Sequence, residues 1–231
     1  VGSVTSVSMA FLPCAIRRVQ QALPAFGINI RQIESRRAPA AVLDGIVDIA
    51  FAVQLAHSDE LQFEPLFKDK LDLVCTKDDP LAKTAGSISW EMVRERPFIY
   101  NESFSSIETP EFLDLTERAS MRIGNILAVL AAVREGLGVS VLPRLCGVQG
   151  AEGVAFLPLA DESAHRVVGM LSKRDRRQLP GTRIFASAVQ DVVEERAADL
   201  RYQLLGGRPA GKAEPVSQQA PPQPPSSRST P

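Results

Sequence analysis

Long apolar runs are missing from this 231-residue sequence, and no stretch approaches the ~20 residues that a membrane-spanning helix requires. Histidine is scarce, with His57 and His165 standing alone. Neither has a second His or Cys at ligand spacing, so no metal site and no other cofactor is expected. The three cysteines, Cys14, Cys75 and Cys146, are odd in number and far apart, which suits a reducing cytoplasm better than a disulfide framework. Cys14 reads as a buried small hydrophobe and Cys75 as a core residue. A surplus of charge is also lacking. The 26 basic and 27 acidic residues leave a net charge of −1, whereas a nucleic-acid-binding module carries a basic excess. Catalytic patterns are absent as well: there is no Gly-x-Ser-x-Gly elbow and no phosphate-cradling loop. Gly136-Leu137-Gly138 lacks the third glycine of a dinucleotide fingerprint and closes a helix, whereas the fingerprint opens one. The chain is therefore not expected to be an enzyme. Its start, Val1-Gly2-Ser3-Val4-Thr5, is strand-like and carries no export signal, so a cytoplasmic location is expected.

What is present is a repeat. Ala40-Ala41-Val42-Leu43-Asp44-Gly45-Ile46 returns as Ala131-Ala132-Val133-Arg134-Glu135-Gly136-Leu137. In each copy a helical stretch meets a glycine where helices stop in a left-handed turn, and an apolar run follows, short enough to be a buried strand. Strand-like runs ending at Glu34 and Asn125 stand at the same distance before the two glycines. Two similar α/β units leave a crevice between them, and crevices at strand ends are where such proteins bind ligands.

The pattern along the chain is β-α-β-α-β, with strands at Val1–Ser6, Ile28–Glu34 and Asp48–Val53. Ser8 is expected to cap the first helix and Pro13 to lie in its first turns. Leu61–Leu66 and Lys70–Thr76 read as two neighbouring strands. A second unit follows, with strands at Phe98–Tyr100, Met121–Gly124 and Val139–Leu142, and helices entered at Pro110 and at Ile126. An amphipathic helix is expected over Gly181–Leu205, with Ile184, Phe185, Ala188, Val189, Val192 and Val193 on one face. The expected division is lobe I at 1–76 with a returning segment at 172–205, lobe II at 77–171, and a proline-rich tail at 206–231 too polar to fold. Crossovers are expected near Leu71–Lys77 and Arg166–Ser172.

Small polar residues recur just after the strands: Ser6 and Ser8, Ser35 with Arg36, Asn101 and Ser103, then Asn125 followed by Ile126. Any one of them is explained as a cap or turn residue. Four such loops converging on one crevice favour a bound anion, because helix N-termini and backbone N–H groups attract negative charge.

In this order and spacing, several motifs resemble the effector-binding domain of LysR-type bacterial transcriptional regulators. They are Phe11-Leu12-Pro13, Leu43-x-Gly45 with Asp48-Ile49-Ala50, and Glu64-Pro65-Leu66 with Leu71, Leu73 and Val74. Asp79-Pro80-Leu81-Ala82 continues the series, and Val133-Arg134-Glu135-Gly136-Leu137-Gly138-Val139-Ser140-Val141-Leu142-Pro143 is the most specific. The resemblance covers Val1 to about Leu200. It implies an α/β fold of two Rossmann-like lobes joined by crossover strands, like type-2 periplasmic binding proteins. A small effector would lie between the lobes, with pocket positions at Ser6, Ser35, Asn101 and Asn125–Ile126. It also implies a homodimer or tetramer, with contacts at Arg17, Ile28, Ile30 and Val129. Promoter DNA would be reached through a winged helix-turn-helix that this sequence does not contain. Peroxide-sensing members need two cysteines close together in lobe II, where only Cys146 lies, so redox sensing is not expected. The alternative from another class is a solute-binding protein of an uptake system on the same fold.

Overall fold

The computed structural model describes residues 1–54, 58–101, 107, 109–147, 152–175 and 178–205; the tail at 206–231 and Ser103 lie outside the described residues. Two sheets share one long strand. The first lobe begins with β1 (Gly2–Ser3), α1 (Thr5–Ala10), α2 (Leu12–Ala22) and β2 (Arg31–Gln32), and a 3-10 turn at Ser35–Arg37 leads into α3 (Ala38–Leu43) and β3 (Ile49–Val53). Strand β4 (Leu61–Thr76) then passes into the second lobe, which contains α4 (Trp90–Val93), β5 (Phe98–Tyr100), α5 (Pro110–Glu117), β6 (Met121–Arg122), α6 (Ile126–Arg134), β7 (Val139–Pro143) and β8 (Val154–Pro158). Strand β9 (His165–Lys173), α7 (Pro180–Leu200) and β10 (Gln203–Leu204) return to the first lobe.

The repeated peptide marks a repeated architecture. In lobe I, β1 lies between β2 and β3 with both pairings parallel; in lobe II, β5 lies between β6 and β7 in the same way. Helices α3 and α6 both stop at a left-handed glycine, Gly45 at φ +71° and Gly136 at φ +74°, a conformation that costs an L side chain energy but not glycine. The strands that follow, β3 and β7, are buried almost throughout.

Three expectations are corrected. The first strand is only Gly2–Ser3, because Val4 ends the extended segment and the helix starts at Thr5. Ser8 therefore lies inside α1 and caps nothing. The helix breaks at Phe11, and Pro13 sits in the first turn of α2, where its missing N–H costs nothing. The Phe11 ring fills the core edge-on to Phe67 and Tyr202. The second strand is likewise only Arg31–Gln32, at the sheet edge.

The expected pair of strands across 61–76 is one 16-residue strand. Pro65 and Phe67 flank a register shift, which absorbs the proline without ending the strand. Residues 61–70 of β4 pair with β9 in the lobe I sheet, and Leu71–Thr76 pair with β7 and β8 in the lobe II sheet. The chain thus changes sheets at Lys70–Leu71 and, returning, between β8 and β9, so lobe I takes residues 165–205 and not only 172–205.

Each lobe has its own apolar core, one around Phe11, Phe51, Phe67 and Phe185, the other around Leu73, Ile99, Val129 and Leu142. Burying a side chain of this size contributes about 1.5–3 kcal/mol. Leu145, in the 3-10 turn at Arg144–Cys146 just after β7, packs into the lobe I core. The junction is thereby pinned from both sides.

Candidate functional site

A cleft runs between the lobes. One part, about 610 Å³, is walled by Val4, Thr5, Glu34, Ser35 and Arg37 of lobe I and by Gly124, Asn125 and Ile126 of lobe II. A second part, about 650 Å³, continues past Gln54, Thr109, Pro110, Ser163 and His165. Val53 and Arg166 border both.

Arg166 is the residue that the sequence did not single out. It stands on β9, opposite Asp69 of β4 in the strand register, and is 3% exposed. Its Nη2 donates to Asp69 Oδ2 at 2.8 Å and to Ser6 Oγ at 2.7 Å, while Nε donates to the same Asp69 oxygen at 3.2 Å. Nη1 makes no hydrogen bond among the described residues. Burial pushes the Asp69 carboxyl above its ordinary range, opposed by the Arg166 guanidinium and by the backbone N–H of Leu145. Three residues further along β4, Asp72 accepts from Arg144 Nε at 2.7 Å and Nη2 at 2.6 Å. Two acid–arginine pairs, Asp69–Arg166 fully buried and Asp72–Arg144 with its arginine partly exposed, therefore sit where the chain passes between sheets. Asp69 is masked by its neighbours Lys68 and Lys70, and Arg166 follows His165 at the start of β9; their pairing depends on a register that no local pattern supplies.

The residues singled out from the sequence fall in three groups. Ser35, Asn125 and Ile126 line the cleft. Ser6 is buried and meets it through Arg166. Ser8 is half-buried in α1, and Asn101 is buried with its Nδ2 donating to the Ile123 carbonyl at 2.7 Å, which joins the ends of β5 and β6. Neither lines the cleft walls described above. Arg37, and not Arg36, reaches the cleft; Arg37 also pairs loosely with Glu34 at 3.7 Å. Ser103 lies outside the described residues. The side chains on the cleft already have protein partners: Ser35 Oγ accepts from the Val53 N–H at 3.0 Å, and Asn125 Oδ1 accepts from the N–H groups of Leu127 at 2.9 Å and Ala128 at 3.1 Å. Both shape the wall, and Asn125 sets the start of α6.

Asn125 is a helix cap in the strict sense, and its removal has a defined cost. Asn125→Ala is expected to destabilise the protein by about 1 kcal/mol, while Asn125→Asp should be close to neutral because Asp caps as well as Asn. Urea denaturation of the two variants measures this; equal losses would show that the cap bonds contribute nothing.

The dimer positions are also placed. Arg17 is exposed on α2, and Ile28 and Ile30 are half-buried against the lobe I core. Val129 is corrected: it is 0% exposed inside the lobe II core and presents nothing to a partner. The outer face of α6 consists of Leu127, Ala128, Ala131 and Arg134. Two of the three cysteines, Cys75 and Cys146, are buried in the lobe II core. Burial pushes Cys75 up to about 11 and Cys146 up to about 12, so neither is a thiolate near neutral pH. No helix among the described residues is long and apolar enough to cross a membrane.

Two α/β lobes, two crossovers and a cleft floored by a buried arginine define a ligand-binding domain of the bilobed, type-2 periplasmic-binding kind. Residues 1–194 match the family described as the LysR substrate binding domain, and the chain belongs to that family. This sets it with regulators rather than with uptake proteins. It is 32% identical over 145 residues to the uncharacterized HTH-type transcriptional regulator YeiE of Escherichia coli, covering 61% of this chain and 49% of that one. It is 21% identical over 206 residues to a probable nitrogen assimilation transcriptional activator of Synechococcus elongatus, covering 85% of this chain and 66% of that one. The chain thus spans about half to two thirds of the length of these relatives. Among solved structures, the effector binding domain of QuiR in complex with shikimate aligns with a TM-score of 0.67 at 16% identity, over 84% of this chain and 95% of that one. The effector binding domain of a BenM variant aligns with a TM-score of 0.70 at 15% identity, over 85% and 94%.

Proposed function

We propose that this chain is the sensing portion of a LysR-type transcriptional regulator and holds a small anionic metabolite, of the carboxylate class, between its lobes. The observation that carries the reading is Arg166, a buried cation bordering both parts of the cleft with Nη1 uncommitted. An anion there would also meet Asn125 at the head of α6, where the helix dipole favours negative charge. The site binds and does not catalyse, and the cytoplasm is its place of action. The ligand would act on the parent protein by biasing the packing of the two lobes, and promoter DNA would be contacted by a separate helix-turn-helix portion of that parent. Shikimate, bound by the effector binding domain of QuiR, is itself a carboxylate. A thermal-shift screen of carboxylate metabolites against their uncharged amide analogues tests the class. A ligand that binds only the native state raises the melting temperature with concentration. Carboxylates should do so and amides should not; equal responses from both would rule out the anionic reading.

The domain is further proposed to pair with a second copy about a two-fold axis, α2 and β2 of one facing α6 of the other. Strand β2 is an exposed sheet edge, a liability unless something covers it, and the outer face of α6 is apolar up to Arg134, with Leu127 51% exposed. Light scattering at micromolar concentration should give twice the 25.0 kDa chain mass, falling to one chain for Ala131→Arg. A wild-type mass of one chain at every concentration would exclude the pairing.

A further inference from the structure

Behind the cleft wall, lobe I contains a second cavity of about 330 Å³, within the span of small-molecule sites, roughly 300–1,000 Å³. Ala38, Ala52, Leu61, Phe63 and Leu171 give it an apolar side, Ser35, Gln54, Ser58 and Gln62 give it a polar one, and Arg174 completes the lining. That arginine is anchored without being neutralised. Nε donates to the Asp59 carbonyl at 2.9 Å and Nη2 to the Leu61 carbonyl at 3.1 Å. The backbone N–H of Arg174 also donates to the Glu60 carbonyl at 2.9 Å. None of the ion pairs among the described residues involves Arg174. A fixed guanidinium that holds only neutral acceptors retains its full charge for a carboxylate, which it recognises with charge-assisted hydrogen bonds.

We propose that this cavity is a second binding site, taking a small monocarboxylate with a compact apolar body: the body among Ala52, Leu61, Phe63 and Leu171, the carboxylate on Arg174. It is independent of the function proposed for the inter-lobe cleft, but the two sites share a wall. Ser35 and Val53 line both cavities and are tied to each other by the hydrogen bond from the Val53 N–H to Ser35 Oγ. Filling the lobe I cavity fixes the position of that wall, and the linkage is reciprocal: whatever one ligand does to the affinity of the other, the other does in return.

The test uses the full chain, with phenylacetate as the probe and methyl-labelled NMR as the readout. Phenylacetate should shift the methyl signals of Ala38, Ala52, Leu61 and Leu171 saturably. Arg174→Gln, at an exposed position where folding should survive, should weaken this binding about tenfold or more, the size expected for losing hydrogen bonds to a charged group. Ser58→Phe, at the cavity lining, should abolish it. Asn125→Ala, on the cleft alone, should leave it intact. Shifts confined to cleft methyls such as those of Val4 and Ile126, affinity unchanged in Arg174→Gln, or no saturable shift at all would each overturn the proposal. None of these outcomes depends on whether the cleft binds an anion.

Discussion

Replacing Arg166 with alanine is expected to destabilise the protein by roughly 3–5 kcal/mol, the cost of leaving one member of a buried ion pair without its partner. Asp69 is 1% exposed and takes both of its arginine hydrogen bonds from this one side chain. Ser6 Oγ loses its donor in the same step. The double variant Arg166→Ala/Asp69→Ala should lose clearly less than the two single losses added together, because no charge is then stranded. Urea denaturation of the three variants decides this. Additive losses would mean that the pair is not coupled, contrary to the geometry. Since Arg166 also borders both parts of the cleft, the single variant should lose ligand-induced stabilisation as well.

The second large effect is expected at Gly138. A Cβ there would lie 2.4 Å from the Pro97 carbonyl oxygen, the same oxygen that accepts from the Val139 N–H at 2.9 Å. Backbone cannot give way as a flexible side chain can, so Gly138→Ala must push β7 away from the start of β5. A cost of about 3 kcal/mol is expected, at the upper end of overpacking effects. Gly136→Ala, two residues earlier, meets no atom within 4 Å and faces only its left-handed φ of +74°, so it should cost about 1 kcal/mol. Thermal melts rank the two; a larger loss at Gly136 would contradict the account of this turn.

These two sites mark where the sequence was legible and where it was not. The repeat around Gly45 and Gly136 was readable because helix termination by a left-handed glycine is a local event, and it led directly to the two equivalent three-strand units. The long strand β4 was misread because Pro65 and the polar run Lys68-Asp69-Lys70 look like a break. Pairing with β9 and with β10, both far away in sequence, keeps those residues extended. The short strands β1 and β2 were overextended for the complementary reason, since alternation marks residues able to pair and not those that find a partner. For the site, local signals pointed to Ser35 and Asn125 as residues after strands, and both line the cleft. They could not reveal that both side chains are engaged by the backbone, nor that the cation at the floor comes from a crossover strand.

Asn125→Asp decides whether the inter-lobe cleft holds an anion. The substitution keeps an oxygen acceptor for the Leu127 and Ala128 N–H groups, so the fold and α6 should be retained. It adds one negative charge at the cleft wall. Calorimetric titration with the strongest carboxylate from the thermal-shift screen should give an affinity about tenfold or more below that of the parent chain, as expected for roughly 1.4 kcal/mol of like-charge repulsion in a partly desolvated site. An affinity unchanged by that charge, in a variant of undiminished stability, would contradict an anion bound in this cleft.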